Sequence, residues 1–302
     1  MNKANWGNNI MKSEKYMYTG KGNLHLNDYP TNSKEDDVDK QEIIAKFEEN
    51  IKEIDDLQEA LYANGKEGII VILQAIDAAG KDSTIKRVFS GLNPQGVTVS
   101  NFKQPNTDEL SHDYLWRFNK VLPRRGEIAV FNRSYYEDVV TVSVHDIQKS
   151  YSMANRVLDV RKSDFFNIRY KQIQNYEEYL YENSYRLLKI FLHVSKDTQR
   201  KRFLERIDKK EKKWKFNPND LRDRELFDKI MNAYEKAFEN TSTETNPWYI
   251  IPADQKWYTR YLFSEVLLKT MQNCDTKFPT ISQETLDEMQ KCREILINEG
   301  PI

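Results

Sequence analysis

The spacing of apolar residues along the chain switches repeatedly between two periods. Between Asp39 and Tyr62 the apolar positions Ile43, Ile44, Phe47, Ile51, Ile54, Leu57 and Leu61 recur at threes and fours, which predicts an amphipathic helix stopping at Asn64-Gly65. The next stretch, Gly68-Ile69-Ile70-Val71-Ile72-Leu73-Gln74-Ala75, is short, continuous and β-branched, the pattern of a strand buried on both faces. Similar runs recur at residues 96–100, 127–131, 187–194 and 248–252, with helical spacing between them. That alternation predicts an α/β fold, a three-layer α/β/α arrangement around a mainly parallel five-stranded sheet.

The remaining segments read differently. The first 38 residues are polar and Asn-rich, broken by Gly20, Gly22 and Pro30, and predict an arm laid over the domain. From Lys196 to Thr243 the chain is densely charged, and Trp214, Phe216 and Pro218 interrupt two helical segments, as in a helical hairpin projecting from the sheet. Amphipathic helices are predicted near Tyr258 to Gln272 and Ser282 to Asn298. With no internal repeat and no linker, one domain over residues 1–302 is expected.

Composition narrows the choice of partners. The 302 residues carry 46 basic and 47 acidic side chains, a formal charge of −1, so no global field points to nucleic acid or membrane and any anion site must be local. Met1 to Trp6 lack the apolar core of a signal peptide and no apolar run is long enough to cross a bilayer, which predicts a cytoplasmic protein. Cys274 and Cys292 share no metal-ligand spacing with a histidine, and His112, His145 and His193 have no serine or cysteine partner, so all five are read as structural.

The chemistry concentrates after the first buried run. A strand, a tight small-residue turn, a lysine and a helix, here Ala75-Ile76-Asp77-Ala78-Ala79-Gly80-Lys81-Asp82-Ser83, form the recipe of a phosphate loop, whose backbone N–H groups point at phosphate oxygens. The usual pattern is broken twice, by Ala75 at the first glycine position and by Asp82 where a metal-binding hydroxyl normally follows the lysine. Asp82 either meets Mg²⁺ or caps the helix; Asp77 would share a divalent metal with a phosphate.

A second polar cluster follows the third run, at Asn132-Arg133-Ser134-Tyr135-Tyr136-Glu137-Asp138. The carboxyl edge of an open α/β sheet is its ligand crevice. Arg133 either grips a phosphoryl group or serves as a salt-bridge partner; Glu137 and Asp138 could hold metal or orient an acceptor, while Ser134 and Glu137 suit a capping box. After the second run, Lys103, Asn106 and Arg117 are candidates for the acceptor nucleotide, although Arg117 on a packed helix could be a surface residue.

On these residues the chain resembles the second polyphosphate kinase family (polyphosphate kinase 2), thymidylate-kinase-like P-loop enzymes that move phosphate between inorganic polyphosphate and nucleotides. The likeness is carried by Ile76 to Asp82, Gly91-Leu92-Asn93-Pro94-Gln95-Gly96, Ser111 to Arg117, Phe131 to Ser134 and Ile251 to Trp257. It implies that Asp77 engages Mg²⁺, that Ala78, Ala79, Gly80, Lys81, Asp82 and Ser83 hold phosphates, and that Arg133 binds the group in transfer. It also implies a lid over about residues 205–230, with Arg202, Arg206, Lys213 and Lys215 lining a polyphosphate channel. Many members carry Asp where this chain has Asn132, which implies that metal coordination here leans more on Asp77, with Glu137 as a further candidate; Asn132 with Glu137 resembles the subgroup accepting both AMP and ADP. Family habit implies a homodimer or homotetramer. The expected reaction is Mg²⁺-dependent, reversible transfer from polyphosphate to AMP or ADP, against two alternatives: an ATP-dependent nucleotide kinase and a polyphosphate-binding module without turnover.

Overall fold

The computed structural model describes residues 12–300, so Met1 to Trp6, on which the signal-peptide reading rests, lie outside the described residues. Among the described residues six strands form one sheet: β1 (Met17–Tyr18), β2 (Gly68–Gln74), β3 (Val97–Asn101), β4 (Ile128–Asn132), β5 (Tyr185–His193) and β6 (Trp248–Pro252). Their spatial order is β1-β6-β5-β2-β4-β3, with β1 antiparallel to β6 and every other pair parallel. The five expected strands are present; the sixth was missed because two residues carry no period. Met17 and Tyr18 pair with Tyr249 and Trp248, so the arm covers an edge of β6 that would otherwise expose unpaired backbone groups.

Every residue of β2 is buried, and it lies between β5 and β4, the two strands that enter the chain order later on opposite sides. Full burial of Ile69 to Leu73 is worth about 1.5–3 kcal/mol per side chain relative to exposure. The chain crosses from β2 to one flank through β3 and β4 and returns to the other through β5 and β6, which makes the carboxyl end of β2 the switch point of the sheet.

Helices cover both faces. Lys40–Asn64 is capped by the Asp39 carboxylate, which accepts from the N–H groups of Gln41 and Glu42, and stops at Gly65 with φ of 64°. It packs against Lys256–Gln272, while Lys162–Glu182 and Phe227–Thr241 pack together elsewhere. The charged region resolves into Lys196–Asp208, a 3₁₀ turn at Lys210–Lys215 and Asn219–Glu225. No helix among the described residues is long and apolar enough to cross a membrane.

Candidate active site

The loop after β2 carries backbone strain that its hydrogen bonds to a distant arginine offset. Ala75 avoids positive φ, which removes the need for a glycine there, but Ala78 takes φ of 63° and Gly80 φ of 109°. A non-glycine residue in the left-handed region costs about 1 kcal/mol or more and persists where surrounding structure enforces it. Here the enforcing group is Arg202: one guanidinium nitrogen donates to the Ala78 and Ala79 carbonyls at 3.1 and 2.6 Å, the other to Ala253 and Asp254 at 2.7 and 3.1 Å. Arg202 therefore clamps the phosphate loop to the end of β6. The arm braces the same corner, since Thr31 Oγ1 donates to Asp254 at 2.8 Å and Ser33 N to Gln255 at 2.8 Å.

Lys81 opens the helix Lys81–Val88 and is buried, with Nζ donating to the Ala75 carbonyl at 2.8 Å. Burial, reinforced by the neighbouring Arg133 charge, pushes its ammonium down to about 8. Ser83 and Thr84 hydroxyls both turn back to the Gly80 carbonyl, at 2.9 and 3.1 Å.

Across the loop, the residue after β4 supplies the opposing charge. Arg133 has φ of 66°, the second strained non-glycine position at this edge, and its guanidinium donates to Asp77 Oδ1 at 2.7 Å. Burial works against its charge, but the carboxylates of Glu137 and Asp77 outweigh it and hold the guanidinium above its ordinary value. Arg133 is an ion-pair partner, and the pair faces a cavity of about 70 Å³ lined by Asp77, Arg133, Glu137, His145, Gln199, Asp223 and apolar neighbours. Ser134 does cap, accepting from Tyr136 N, but the reciprocal bond from Glu137 is absent among the described contacts; Glu137 accepts from Thr141 instead. Asp138 is turned away, buried against Arg169 at 3.0 Å and Tyr151 at 2.6 Å.

The third corner is Asp82. It neither caps the helix nor stands free: Asn132 Nδ2 donates to one oxygen at 3.0 Å and Lys215 Nζ to the other at 2.9 Å. Burial would raise its pKa, but these two bonds lower it below the ordinary carboxylate value. The Asn132 amide is thereby oriented with its Oδ1 buried and without a hydrogen-bond partner.

The lid candidates divide. Lys215 docks on Asp82, Arg206 pairs with Asp220 at 2.6 Å, and Lys213 is exposed. Asp220 is raised to about 6 by burial and by the nearby Asp77 charge. Of the nucleotide candidates, Asn106 and Arg117 line a second groove of about 370 Å³ at the carboxyl end of β3, together with Phe102, Glu109 and Trp116; Lys103 follows Phe102 in the chain and is not part of that lining. Arg117 is a packed residue: its guanidinium donates to the Lys103 carbonyl at 2.9 Å, pairs with Glu109 at 3.3 Å and lies over Phe102. Asn106 caps Thr107–Ser111 in a capping box with Glu109, and the Lys103 side chain is exposed.

The model of the family described as Polyphosphate kinase 2 (PPK2) matches residues 37–279. The chain belongs to that family. It is 46% identical over 248 residues to an ADP-polyphosphate phosphotransferase of Rhodopseudomonas palustris, covering 82% of this chain and 85% of that one. An AMP/ADP-polyphosphate phosphotransferase of Meiothermus ruber is 44% identical over 228 residues, 76% of this chain and 80% of its own. The crystal structure of polyphosphate kinase 2 from Arthrobacter aurescens TC1 superimposes with a TM-score of 0.77 at 34% identity, covering 85% of this chain and 88% of that one.

Several residues at the site of this polyphosphate kinase 2 member escaped the sequence reading. Gln74, the last residue of β2, has its side chain within 2.9 Å of Glu137 Oε1 once its amide is turned so that the oxygen faces Ser134. A lone polar residue ending an apolar strand was the available signal. Gln199 donates to the Asp77 carbonyl at 3.1 Å, and His145 lines the cavity 3.1 Å from Asp223 rather than sitting in the core. Neither has a local signal, because their neighbours are distant in sequence.

Proposed function

We infer that the chain is a polyphosphate-dependent nucleotide kinase that moves the terminal phosphoryl group of inorganic polyphosphate to AMP or ADP, reversibly, giving ADP or ATP. The observation that carries this reading is the Asp77–Arg133 pair at 2.7 Å, facing a cavity at the switch point beside the buried Lys81. A phosphate oxygen of the acceptor attacks the terminal phosphorus as the bond to the shortened polyphosphate breaks. The shortened chain leaves with the bridging oxygen, and no covalent enzyme intermediate forms. Catalysis then consists of positioning and charge neutralisation. Lys81 and the loop amides hold phosphates; Arg133, released from Asp77, offsets the charge that develops on the group in transfer.

The residues fit Mg²⁺. This ion commonly takes one or two carboxylates and completes its shell with phosphate oxygens and water. Asp77 at the cavity suits that role, Asn132 Oδ1 is a buried oxygen without a partner, and among the described residues no cluster of three acidic, histidine or cysteine side chains would hold a metal unaided. Bound there, the ion would supply positive charge to the phosphates; Asp82, already paired twice, would instead fix Lys215 and Asn132.

The groove at β3, lined by Asn106 and Arg117, would take the nucleotide with the exposed Lys103 next to Phe102 as a further contact, and Arg202, Arg206, Lys213 and Lys215 would meet the polyanion. Residues 205–230 form the lid of a single catalytic domain. The enzyme acts in the cytoplasm as a homodimer or homotetramer. Incubating the protein with AMP, polyphosphate and Mg²⁺, without ATP, should yield ADP and then ATP; product only when ATP is supplied would overturn the reading. Asp77→Asn should remove turnover while leaving the fold intact.

A further inference from the structure

Asp254, just past the end of β6, closes a ring of hydrogen bonds around the residue that clamps the phosphate loop. Its Oδ1 accepts from Ser195 N at 2.9 Å, and Ser195 in turn caps the helix Lys196–Asp208 by accepting from Thr198 N at 3.1 Å. Further along that helix, Arg202 returns to the Asp254 backbone carbonyl at 3.1 Å while its other terminal nitrogen holds the Ala78 and Ala79 carbonyls. Asp254 thus sets both the start of the helix and the aim of the guanidinium it carries. Burial holds Arg202 below its ordinary value, and the Asp254 carboxylate is the largest charge working the other way.

The second oxygen of Asp254 belongs to the arm. Oδ2 accepts from Thr31 Oγ1 at 2.8 Å, and Asp254 N donates to the Thr31 carbonyl at 2.9 Å, so the two residues are paired at two points. Thr31 stands before residue 37, where the family match begins. The arm has anchors of its own away from the loop. Leu24 N and Leu26 N donate to Glu239 and Glu235 on Phe227–Thr241 at 3.0 and 2.7 Å, β1 pairs with β6, and the hydroxyls of Tyr16 and Tyr258 meet on Asp36.

An arginine fork is planar and rigid, so turning the acceptor of one nitrogen changes what the other can hold. Ala78 has the most to lose, because its left-handed backbone at φ of 63° persists only under outside constraint. We propose that Thr31 and Asp254 are positioning residues for phosphoryl transfer: through them the arm fixes Arg202 and keeps the turn from Ala78 to Gly80 in its phosphate-holding shape. This rests on the reading of that loop as the phosphate site. Neither residue lines the cavity at Asp77 and Arg133, so their effect on turnover passes through the loop.

Turnover with polyphosphate, AMP and Mg²⁺, set beside hydrogen exchange of the amides of residues 75–83, tests it. Thr31→Val removes the hydroxyl at nearly constant volume. It should lower kcat by about tenfold, the worth of one hydrogen bond to a charged group, and change KM for polyphosphate by less than about twofold. Exchange over residues 75–83 should become faster while exchange in Lys40–Asn64 stays as it was. Thr31→Ser should restore both readouts. Asp254→Ala should show the same signature more strongly, and adding Thr31→Val to it should cost nothing further, because the hydroxyl then has no carboxylate to hold. Unchanged kcat and loop exchange in Thr31→Val would overturn the proposal. So would faster exchange throughout the protein, the mark of a general loss of stability, or additive losses in the double variant. Exchange is read without substrate, so a chain that makes no ADP from polyphosphate would sink the phosphoryl-transfer reading while the loop comparison still decides whether the arm fixes the turn.

Discussion

Two ion pairs in this molecule have the same length and opposite purposes. Lys189 and Glu177 meet at 2.7 Å, as do Arg133 and Asp77. The first pair is fully buried under the sheet and saturated: Glu177 also accepts from Tyr135 and Tyr136 at 2.9 and 2.8 Å, and Lys189 donates to the Thr241 carbonyl at 2.8 Å. The second is 36% and 23% exposed, borders a cavity, and hangs on a residue in left-handed backbone. A saturated buried pair has nothing to exchange and serves to fix the Tyr135-Tyr136 turn that follows Arg133. A half-open pair keeps both charges reachable from the cavity, as the proposed phosphate and cation contacts require.

The sharpest way to break the comparison is to remove one partner of each pair. Lys189→Met leaves Glu177 charged and buried, and should lower unfolding free energy by about 3–5 kcal/mol, measured by denaturant titration. The surviving folded fraction should retain its turnover number. Arg133→Ala should do the reverse, with kcat lowered by about 10²–10³-fold in steady-state assays and a melting temperature close to the unmodified protein's. A large stability loss at Arg133, or a large kcat loss at Lys189, would erase the distinction.

Smaller effects sharpen it. Lys81 titrates near 8 because burial lowers it, and bound phosphate favours its charged form, so polyphosphate affinity should be full below pH 8 and fall as pH rises above it. Its contribution to stability has the opposite trend: the unfolded chain holds that proton up to the ordinary lysine value of 10.5, so stability rises with pH between about 8 and 10.5. KM for polyphosphate against pH checks the first, and Lys81→Arg should remove the break. Asp220, raised to about 6, loses its charge below that pH, which frees Arg206; lid mobility, read by hydrogen exchange over residues 205–230, should rise on acidification. The smallest effect is expected for Lys215→Ala, an exposed pair with Asp82 worth about 0.2–1 kcal/mol, visible as a modest rise in KM for polyphosphate.

Much of the fold was legible because it is local. The β-branched runs at 68–74 and 128–132 bury both faces in a parallel sheet, Asp39 and Gly65 bound a helix by their own backbone chemistry, and the strand–turn–lysine–helix order sets Lys81 at the first turn of the helix that follows β2. Those consequences follow from residues a few positions apart. The tertiary structure decided which charges meet: Arg202 became a clamp on the Ala78 and Ala79 carbonyls, Asp82 was neutralised by a lysine 133 residues away, and Arg133 found Asp77 across 56 residues. Met17 and Tyr18 became a strand only because β6 offered an unpaired edge. Charge pairing and edge pairing depend on distances between segments, and no spacing along the chain encodes those distances.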